Sequence, residues 1–186
     1  MSDVFEEAVA FAFHAHRGQT RKDGSEYILH PLEVATIVGT MSVDSELLAA
    51  AVLHDTVEDT YVTPEDILRE FGERVADLVL HETENKRPEI DPVDSWKIRK
   101  EESLAVLKNG SIDCKMLWLG DKLSNIRALS RGYDELGDAV FDRFHEKSPK
   151  EHKWYYETIL NYLKELSDYS AYKEYEELVK KVFGDK

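Results

Sequence analysis

Cysteine is nearly absent from this 186-residue sequence, which contains only Cys114, in an apolar stretch. A single cysteine cannot form a disulfide within the chain, so we expect Cys114 to be packed in a hydrophobic core rather than reactive. The sequence also lacks a basic, apolar leader at its acidic N-terminus, and no apolar run approaches the ~18 residues that cross a bilayer. These absences predict a protein of the reducing cytoplasm that does not enter a membrane.

Positive charge is also scarce. Lysine and arginine number 24 against 38 aspartates and glutamates, which gives a net charge of −14. A field of that sign repels phosphates, so it argues against a general nucleic-acid binder and against binding to a membrane surface. An anionic substrate would therefore have to be bound by a local basic cluster or by a metal ion.

Apolar residues recur at helical spacing through most of the chain, and no stretch shows the sustained alternation of a half-buried strand. We therefore predict an all-α fold, a single-domain helical bundle over residues 1–186, with no sheet of consequence. Ser2 and Asp3 are possible caps of the first helix. Ser148 is a predicted cap of the eighth, with Glu151 three residues later as its capping-box partner. Helices are expected to begin near residue 5 and to cover residues 31–39, 44–58, 64–71, 73–82, 94–109, 112–130, 149–166 and 171–183.

Three segments read as loops, over residues 16–29, 84–93 and 132–147. The first and the last are long for a compact helical domain, and loops of that length are often functional.

The segment from His54 to Asp59 carries one imidazole and three carboxylates directly behind the seven-residue apolar run 47–53. A helix that apolar is buried, and charges at its end are costly unless they are compensated. A divalent metal ion is one such compensation. On a continuous helix His54 and Glu58 share a face, as do Asp55 and Asp59. The cluster therefore favours a metal site over an ordinary solvated face.

Further candidates lie elsewhere in the chain. His30 precedes a proline, so its backbone is held extended where it could project toward His54, although a lone histidine is more often structural. Asp121 and Asn125 are one turn apart on a helix with apolar neighbours, so they need polar partners. A buried hydrogen-bond network would explain this pair equally well.

Two basic features could contact an anionic substrate. Arg21 and Lys22 lie in the first long loop, and a planar guanidinium suits phosphate or a base edge. The same residues could instead belong to a solvated turn at Gly24. Lys153 lies in the aromatic stretch 152–156, which could supply phosphate or base contacts, or could be the core and surface of one helix.

The candidate ligands His30, His54, Asp55 and Asp121 make a mixed nitrogen and oxygen site. Such a site suits manganese, iron or zinc better than calcium, and it lacks the thiolates of a structural zinc site. The residues alone do not select among the three metals. In such a site Glu58 and Asp59 could orient or deprotonate an attacking water.

The order and spacing of these residues resemble those of the HD-domain metal phosphohydrolases. Residues 15–24, 27–31, 54–60 and 121–127 look most like the hydrolase domain of RelA/SpoT proteins, and especially like the stand-alone small alarmone hydrolases. The resemblance covers about residues 3–130, and predicted helices at about 148–183 complete the chain.

The resemblance implies one manganese ion per chain on the four candidate ligands, with iron or zinc not excluded. It implies removal of the 3′-pyrophosphate from guanosine tetra- or pentaphosphate. It places Glu58 and Asp59 at the attacking water, and Arg21, Lys22 and Asn125 at the nucleotide. A homo-oligomer is possible.

Two alternatives stay open at this stage. One is an HD-type phosphomonoesterase that acts on another nucleotide or phosphorylated metabolite. The other is a nucleotide-binding module without catalysis. The presence of all the expected metal-binding and water-activating residues argues against the second.

Overall fold

The computed structural model describes residues 4–184, and within that range the regular structure is helical. The all-α prediction is confirmed, since the β element found there is an isolated bridge between Thr20 and Glu26. The predicted caps Ser2 and Asp3 lie outside the described residues. The helices are α1 Val4–Ala15, α2 Leu29–Gly39, α3 Ser45–Leu53, α4 Thr56–Asp59, α5 Pro64–Glu82, α6 Pro92–Asn109, α7 Ile112–Leu136, α8 Pro149–Tyr162 and α9 Ser170–Phe183.

The chain divides into two compact units. Unit 1 comprises residues 4–83 and Gly110–Asp121, and unit 2 comprises Glu84–Asn109 and residues 122–184. Helix α7 contributes its first ten residues to unit 1 and the rest to unit 2. The predicted extent of a single functional domain over residues 1–186 remains a prediction.

Helix α3 is the centre of unit 1, where it packs against α1, α2 and α5. The small side chains of its three consecutive alanines, Ala49 to Ala51, let the neighbouring helices approach closely. The Asp44 carboxylate caps its first turn by accepting hydrogen bonds from the backbone N–H groups of Glu46 and Leu47. Its buried residues are Leu47, Ala49, Ala50, Ala51, Val52 and Leu53.

The helix predicted over residues 44–58 is interrupted, and that prediction was wrong in this respect. Helix α3 ends at Leu53 and α4 begins at Thr56, with His54 and Asp55 between them. The Thr56 hydroxyl donates to the Leu53 carbonyl at 2.7 Å, which supplies that carbonyl with a side-chain donor at the break. Periodicity cannot show such a break, because both residues keep dihedral angles near the helical region.

A second interruption occurs where the sequence predicted it. Helix α5 begins with Pro64 behind a capping box of Thr63 and Asp66. At Gly72 the backbone adopts φ 84° and ψ 174°, a conformation that side chains with a Cβ rarely take. The predicted boundary between the helices over residues 64–71 and 73–82 is this kink.

Helix α7 carries the predicted core face, since Met116, Leu119, Leu123, Ile126 and Leu129 are all buried. It continues to Leu136, beyond the predicted end at residue 130, and a 3-10 segment, Gly137–Arg143, follows. The predicted loop over residues 132–147 is therefore mostly helical.

Gly120 lets α7 approach α2 closely within unit 1. A Cβ atom at residue 120 would lie 2.8 Å from Val38 Cγ2 and 3.2 Å from the Val34 carbonyl oxygen. Real side chains do not tolerate the shorter distance, so a larger residue would push the two helices apart. The glycine thereby fixes the position of the next residue, Asp121.

Unit 2 is organised by α8, which packs against α6 and α9. The predicted cap Ser148 makes no side-chain capping hydrogen bond. Glu151, its expected capping-box partner, is instead paired with Lys97 at 2.6 Å. Helix α8 ends at Tyr162, and a separate 3-10 segment, Lys164–Leu166, completes the predicted span.

Cys114 is buried, as expected. Burial first, and then the charges of Glu82 and Asp77, raise the pKa of its thiol to about 12, so the thiol is an inert core group at neutral pH. Among the helices of residues 4–184, none combines the length and apolarity needed to cross a membrane.

Candidate metal centre and active site

Four side chains of unit 1 converge on one point. His30 Nε2 lies 3.1 Å from Asp121 Oδ1 and 3.5 Å from Asp55 Oδ2. His54 Nε2 lies 3.1 Å from the same Asp55 oxygen and 3.7 Å from the same Asp121 oxygen. The structure therefore brings together all four residues that the sequence proposed as metal ligands.

Each of the four is placed by a different local feature. His30 lies in the first turn of α2, so the expectation of an extended backbone before the proline was wrong, and its backbone N–H donates to the Tyr27 carbonyl at 3.0 Å. His54 and Asp55 occupy the break between α3 and α4. Asp121 follows Gly120 on α7, where that helix meets α2. Residues far apart in sequence thus meet because α2 packs against both α3 and the part of α7 that belongs to unit 1.

The orientation of the His54 ring is fixed by its other nitrogen. Nδ1 lies 2.9 Å from the Ala51 carbonyl oxygen, so it carries a proton and donates it. In the neutral ring Nε2 then holds the free lone pair that a metal ion requires. This nitrogen is buried and lacks a hydrogen-bond partner, although Asp55 Oδ2 lies 3.1 Å away. A buried polar atom without a partner is costly, so a missing partner is implied.

The distances fit a shared cation. Two donor atoms that are each about 2.0–2.2 Å from one ion lie roughly 3–3.6 Å apart, close to the separations in the cluster. His30, His54 and Asp121 can each place one donor atom within 4.8 Å of the others, and all three are buried. Two imidazoles with two carboxylates suit a transition metal ion. The residues present therefore fit a divalent metal ion.

The ionisable groups of the cluster shift one another's pKa values. Burial alone would lower the pKa of His54, but the carboxylates of Asp55 and Asp121 raise it well above its ordinary value. Burial alone would raise the pKa of Asp55, but the imidazoles of His54 and His30 hold it well below its usual range. The two carboxylates therefore favour a positive charge beside them, which a proton on His54 or a bound cation would supply.

Metal binding is expected to release a proton at neutral pH. Because the carboxylates raise the folded-state pKa of His54, a proton is expected to compete with the incoming ion for Nε2. Affinity should therefore fall as pH is lowered and level off above the raised pKa. Titration calorimetry with Mn²⁺ in two buffers of different ionisation enthalpy would measure about one proton released per ion. A binding enthalpy that is the same in both buffers would contradict this protonation state.

Glu58 and Asp59 lie on α4, immediately after the cluster, and both are half-buried. Helix α4 is anchored at both ends, since Thr56 donates to the Leu53 carbonyl and the Thr60 hydroxyl donates to the Thr56 carbonyl at 2.6 Å. The two carboxylates therefore lie on a short helix that hydrogen bonds at both ends hold beside the candidate ligands. Their predicted role in activating water remains a prediction.

Three residues of the first long loop that had no predicted role, His16, Gln19 and Tyr27, lie beside the cluster. The Tyr27 hydroxyl lies 2.7 Å from both Asp55 Oδ2 and Asp59 Oδ2. Gln19 Nε2 donates to the Asp59 backbone carbonyl at 2.6 Å, and Gln19 Oε1 accepts from His16 Nδ1 at 2.8 Å. Burial first, and then the charges of Asp55 and Asp59, raise the pKa of Tyr27 far above its ordinary value, so the hydroxyl keeps its proton.

One signal for Tyr27 was available in the sequence. It stands three residues before His30, which is the spacing at which two side chains meet across a turn. Its two carboxylate partners are 28 and 32 residues away, and no local pattern shows such contacts.

The basic part of the loop forms an ordered turn. Gly24, at φ 87°, closes it by donating its backbone N–H to the Arg21 carbonyl at 2.9 Å, and Arg21 donates to the Ser25 carbonyl at 2.8 Å. Lys22 is exposed, yet the surrounding protein and then the charge of Arg21 lower its pKa. The turn that the sequence predicted is present, and a role in substrate binding remains a prediction.

The other proposed substrate contacts lie in unit 2. Asn125 is half-buried on α7, and Lys153 lies on α8, 3.9 Å from Glu157. The neighbours of Lys153 in the stretch 152–156 include three buried core residues, His152, Tyr155 and Tyr156, as expected if this stretch is the core and surface of one helix. Asn125 and Lys153 remain predictions as substrate contacts.

Comparison with known proteins adds an independent line of evidence. A family model described as "HD domain" matches residues 8–146, which include all four candidate ligands. The mouse protein named guanosine-3′,5′-bis(diphosphate) 3′-pyrophosphohydrolase MESH1 is 40% identical over 130 residues, which are 67% of this chain and 69% of that protein.

A solved structure supports the same relationship over the full length. It is described as a metazoan ortholog of SpoT that hydrolyses ppGpp and plays a role in starvation responses. It matches with a TM-score of 0.76 and 26% identity, and covers 97% of this chain and 96% of its own.

Other curated relatives are much longer than this chain. The GTP pyrophosphokinase of Myxococcus xanthus is 43% identical over 77 residues, which are 41% of this chain and 10% of that protein. The chain thus matches only a small part of such relatives, and their whole activity does not transfer with the match. The extent of the family match and the identity to the mouse protein show that the chain belongs to the HD-domain family, in the branch of the RelA/SpoT-type proteins.

Proposed function

We propose that this protein is a metal-dependent hydrolase that removes the 3′-pyrophosphate from guanosine tetra- or pentaphosphate, leaving guanosine 5′-diphosphate or 5′-triphosphate. The observation that carries the proposal is the cluster of buried His30, His54 and Asp121 with half-buried Asp55, in a chain related to proteins named for this reaction. The proposed substrate is a small nucleotide.

The four clustered residues would hold the cation, and manganese is the ion we propose. When bound, a divalent ion supplies Lewis-acid polarisation of a phosphoryl oxygen and favours deprotonation of water. The protein supplies the rest: the Ala51 carbonyl fixes the His54 ring, and Gly120 allows Asp121 to approach α2. Such support around the ligands is what keeps a metal site in its working geometry.

In the proposed reaction, a water oxygen forms a bond to the phosphorus that is attached to the ribose 3′-oxygen. The bond from that phosphorus to the 3′-oxygen breaks, and the 3′-oxygen takes up a proton. Glu58 is the proposed acceptor of the water's proton, and Asp59 orients the same water. Both carboxylates lie on α4, directly behind the ligand Asp55. A base held so close to the reacting water acts without a costly rearrangement.

Local positive charge is the proposed basis of substrate binding, because the net charge of −14 repels a polyphosphate. Arg21 and Lys22 lie in the turn between Gln19 and Tyr27. Both of these flanking residues are hydrogen-bonded to Asp59 of α4. Three cations of unit 2 are paired with carboxylates: Arg99 and Lys100 with the half-buried Glu84, and Arg127 with Glu174.

Arg21→Ala is expected to raise the Michaelis constant for guanosine tetraphosphate about ten- to hundredfold, the range expected when a hydrogen bond to a charged group is lost. Bound metal should be unchanged, since Arg21 is not among the ligands. Steady-state kinetics together with metal analysis would measure both quantities. Arg69→Ala is a matched control, because it removes one exposed cation that pairs with Asp66 and Glu70 on α5. Equal kinetics for both variants would show that the basic turn is only solvated.

The proposed function is tested by profiling products. Purified protein with Mn²⁺ should release pyrophosphate from guanosine tetraphosphate and leave guanosine 5′-diphosphate. Release of orthophosphate alone would instead identify a phosphomonoesterase. Tight nucleotide binding with neither bound metal nor turnover would identify a binding module.

The cellular setting is proposed on simpler grounds. A single buried cysteine and a nucleotide substrate fit the cytoplasm. Homo-oligomerisation remains a prediction, which the mass of the purified protein in solution would test.

A further inference from the structure

Tyr27 joins the proposed ligand Asp55 to the proposed water-orienting residue Asp59. Its hydroxyl oxygen is 2.7 Å from one carboxylate oxygen of each. The Asp55 atom involved, Oδ2, is also the one that faces the two imidazoles. The two carboxylate oxygens are consequently held no more than twice that distance apart.

A phenol has one proton and can donate it to one acceptor at a time. If Asp55 Oδ2 held a metal ion, one of its lone pairs would be engaged, and it would be the weaker of the two competing acceptors. The proton of Tyr27 is then directed to Asp59. The Tyr27 hydroxyl would then donate its hydrogen bond to Asp59 alone.

Other contacts keep both partners of this hydrogen bond in place. Gln19 donates to the backbone carbonyl of Asp59 and accepts from His16. The His16 ring stacks on the Tyr27 ring with a centroid distance of 4.8 Å and an interplanar angle of 26°. His16 is buried, so this support is shielded from solvent. The side chain and the backbone of Asp59 are therefore both tied to the loop that carries Tyr27.

We propose that Tyr27 is a positioning residue, whose hydroxyl holds the Asp59 carboxylate beside the ligand cluster so that it can orient the attacking water. The role rests on the proposed function. It differs from packing alone, because it depends on one oxygen atom of Tyr27 and acts through Asp59.

Tyr27→Phe removes that oxygen and keeps the stacked ring. It is expected to lower kcat about ten- to hundredfold, as the loss of a hydrogen bond to a charged group does. At saturating Mn²⁺ the Michaelis constant and the bound manganese should stay within about twofold, because no ligand or basic residue is altered. In an Asp59→Asn background the same change should have almost no further effect, since two residues that act as a unit are not additive.

Tyr175→Phe is the matched control. Its hydroxyl is buried and donates to the Tyr156 carbonyl at 3.2 Å in unit 2, so the change removes one buried hydroxyl away from the proposed machinery. It should leave kcat unchanged. Unchanged kcat in Tyr27→Phe, or an equal loss in both backgrounds, would overturn the positioning role.

Crystal structures with Mn²⁺ supply a readout that does not need turnover. In the wild type, Tyr27 Oη should stay within hydrogen-bond distance of Asp59 Oδ2. In Tyr27→Phe the Asp59 carboxylate should rotate away or occupy two positions. An Asp59 side chain in the same place in both structures would overturn the role. An inactive wild type would overturn only the proposed substrate, and the two structures would still decide the role of Tyr27.

Discussion

His54→Ala is expected to abolish metal binding and turnover together. Its Nε2 atom is the buried nitrogen that lacks a hydrogen-bond partner and would bind the metal ion. Its Nδ1 atom donates to the Ala51 carbonyl, which holds the ring toward the cluster. Losing a residue that merely supports a ligand costs about 10–100-fold in metal affinity, so the loss of a ligand should exceed about hundredfold. Metal analysis after dialysis and a pyrophosphate-release assay would measure both effects.

His81→Ala is a matched control for this prediction. The Nδ1 atom of His81 also contacts a backbone carbonyl, that of Asp77 at 2.7 Å, but the side chain is exposed on α5. This variant should keep its metal and its activity. Circular dichroism would show whether His54→Ala remains folded. A folded His54→Ala protein with a full complement of metal would remove His54 from the ligand set.

Glu58→Gln should keep the metal ion and lose most of the rate. The amide has nearly the same size as the carboxylate but cannot accept a proton from water. General-base catalysis contributes about 10²–10⁴-fold, so kcat should fall by that factor while metal content stays at the wild-type level. Pairing metal analysis with single-turnover kinetics would separate this result from the loss of a ligand.

The comparison variant for Glu58 is Glu65→Gln, which makes the same chemical change at an exposed residue of α5. It should have wild-type kinetics. Full turnover by Glu58→Gln would show that another group accepts the proton, and Asp59 would be the first residue to test in its place.

The sequence was sufficient for most of the helices and for the four candidate ligands that the structure brings together. The apolar period placed α7 and its core face, and the proline with its cap placed the start of α5. The candidate ligands were found because a run of charged and imidazole side chains after a buried helix demands compensation. His30 and Asp121 required the family pattern as well, since each alone has an ordinary structural explanation.

The rest depended on contacts that local patterns do not encode. The break at His54 and Asp55 leaves both residues near helical dihedral angles, so spacing predicted one continuous helix. The bridge from Tyr27 to Asp55 and Asp59 joins residues about 30 apart, and it exists only because the loop folds back on α4. Glu151 was expected to cap its own helix, and it pairs with Lys97 instead.

The order in which the chain is made has a consequence for unit 1, which is built from two separated stretches. His30, His54 and Asp55 precede the intervening segment Glu84–Asn109, and Asp121 follows it. At about 5–20 residues per second, residue 121 is synthesised roughly 3–13 s after residue 55. A cation captured by the nascent chain in that interval would have three of the four side chains to bind. The four candidate ligands are therefore together only late in biosynthesis, after α7 has docked.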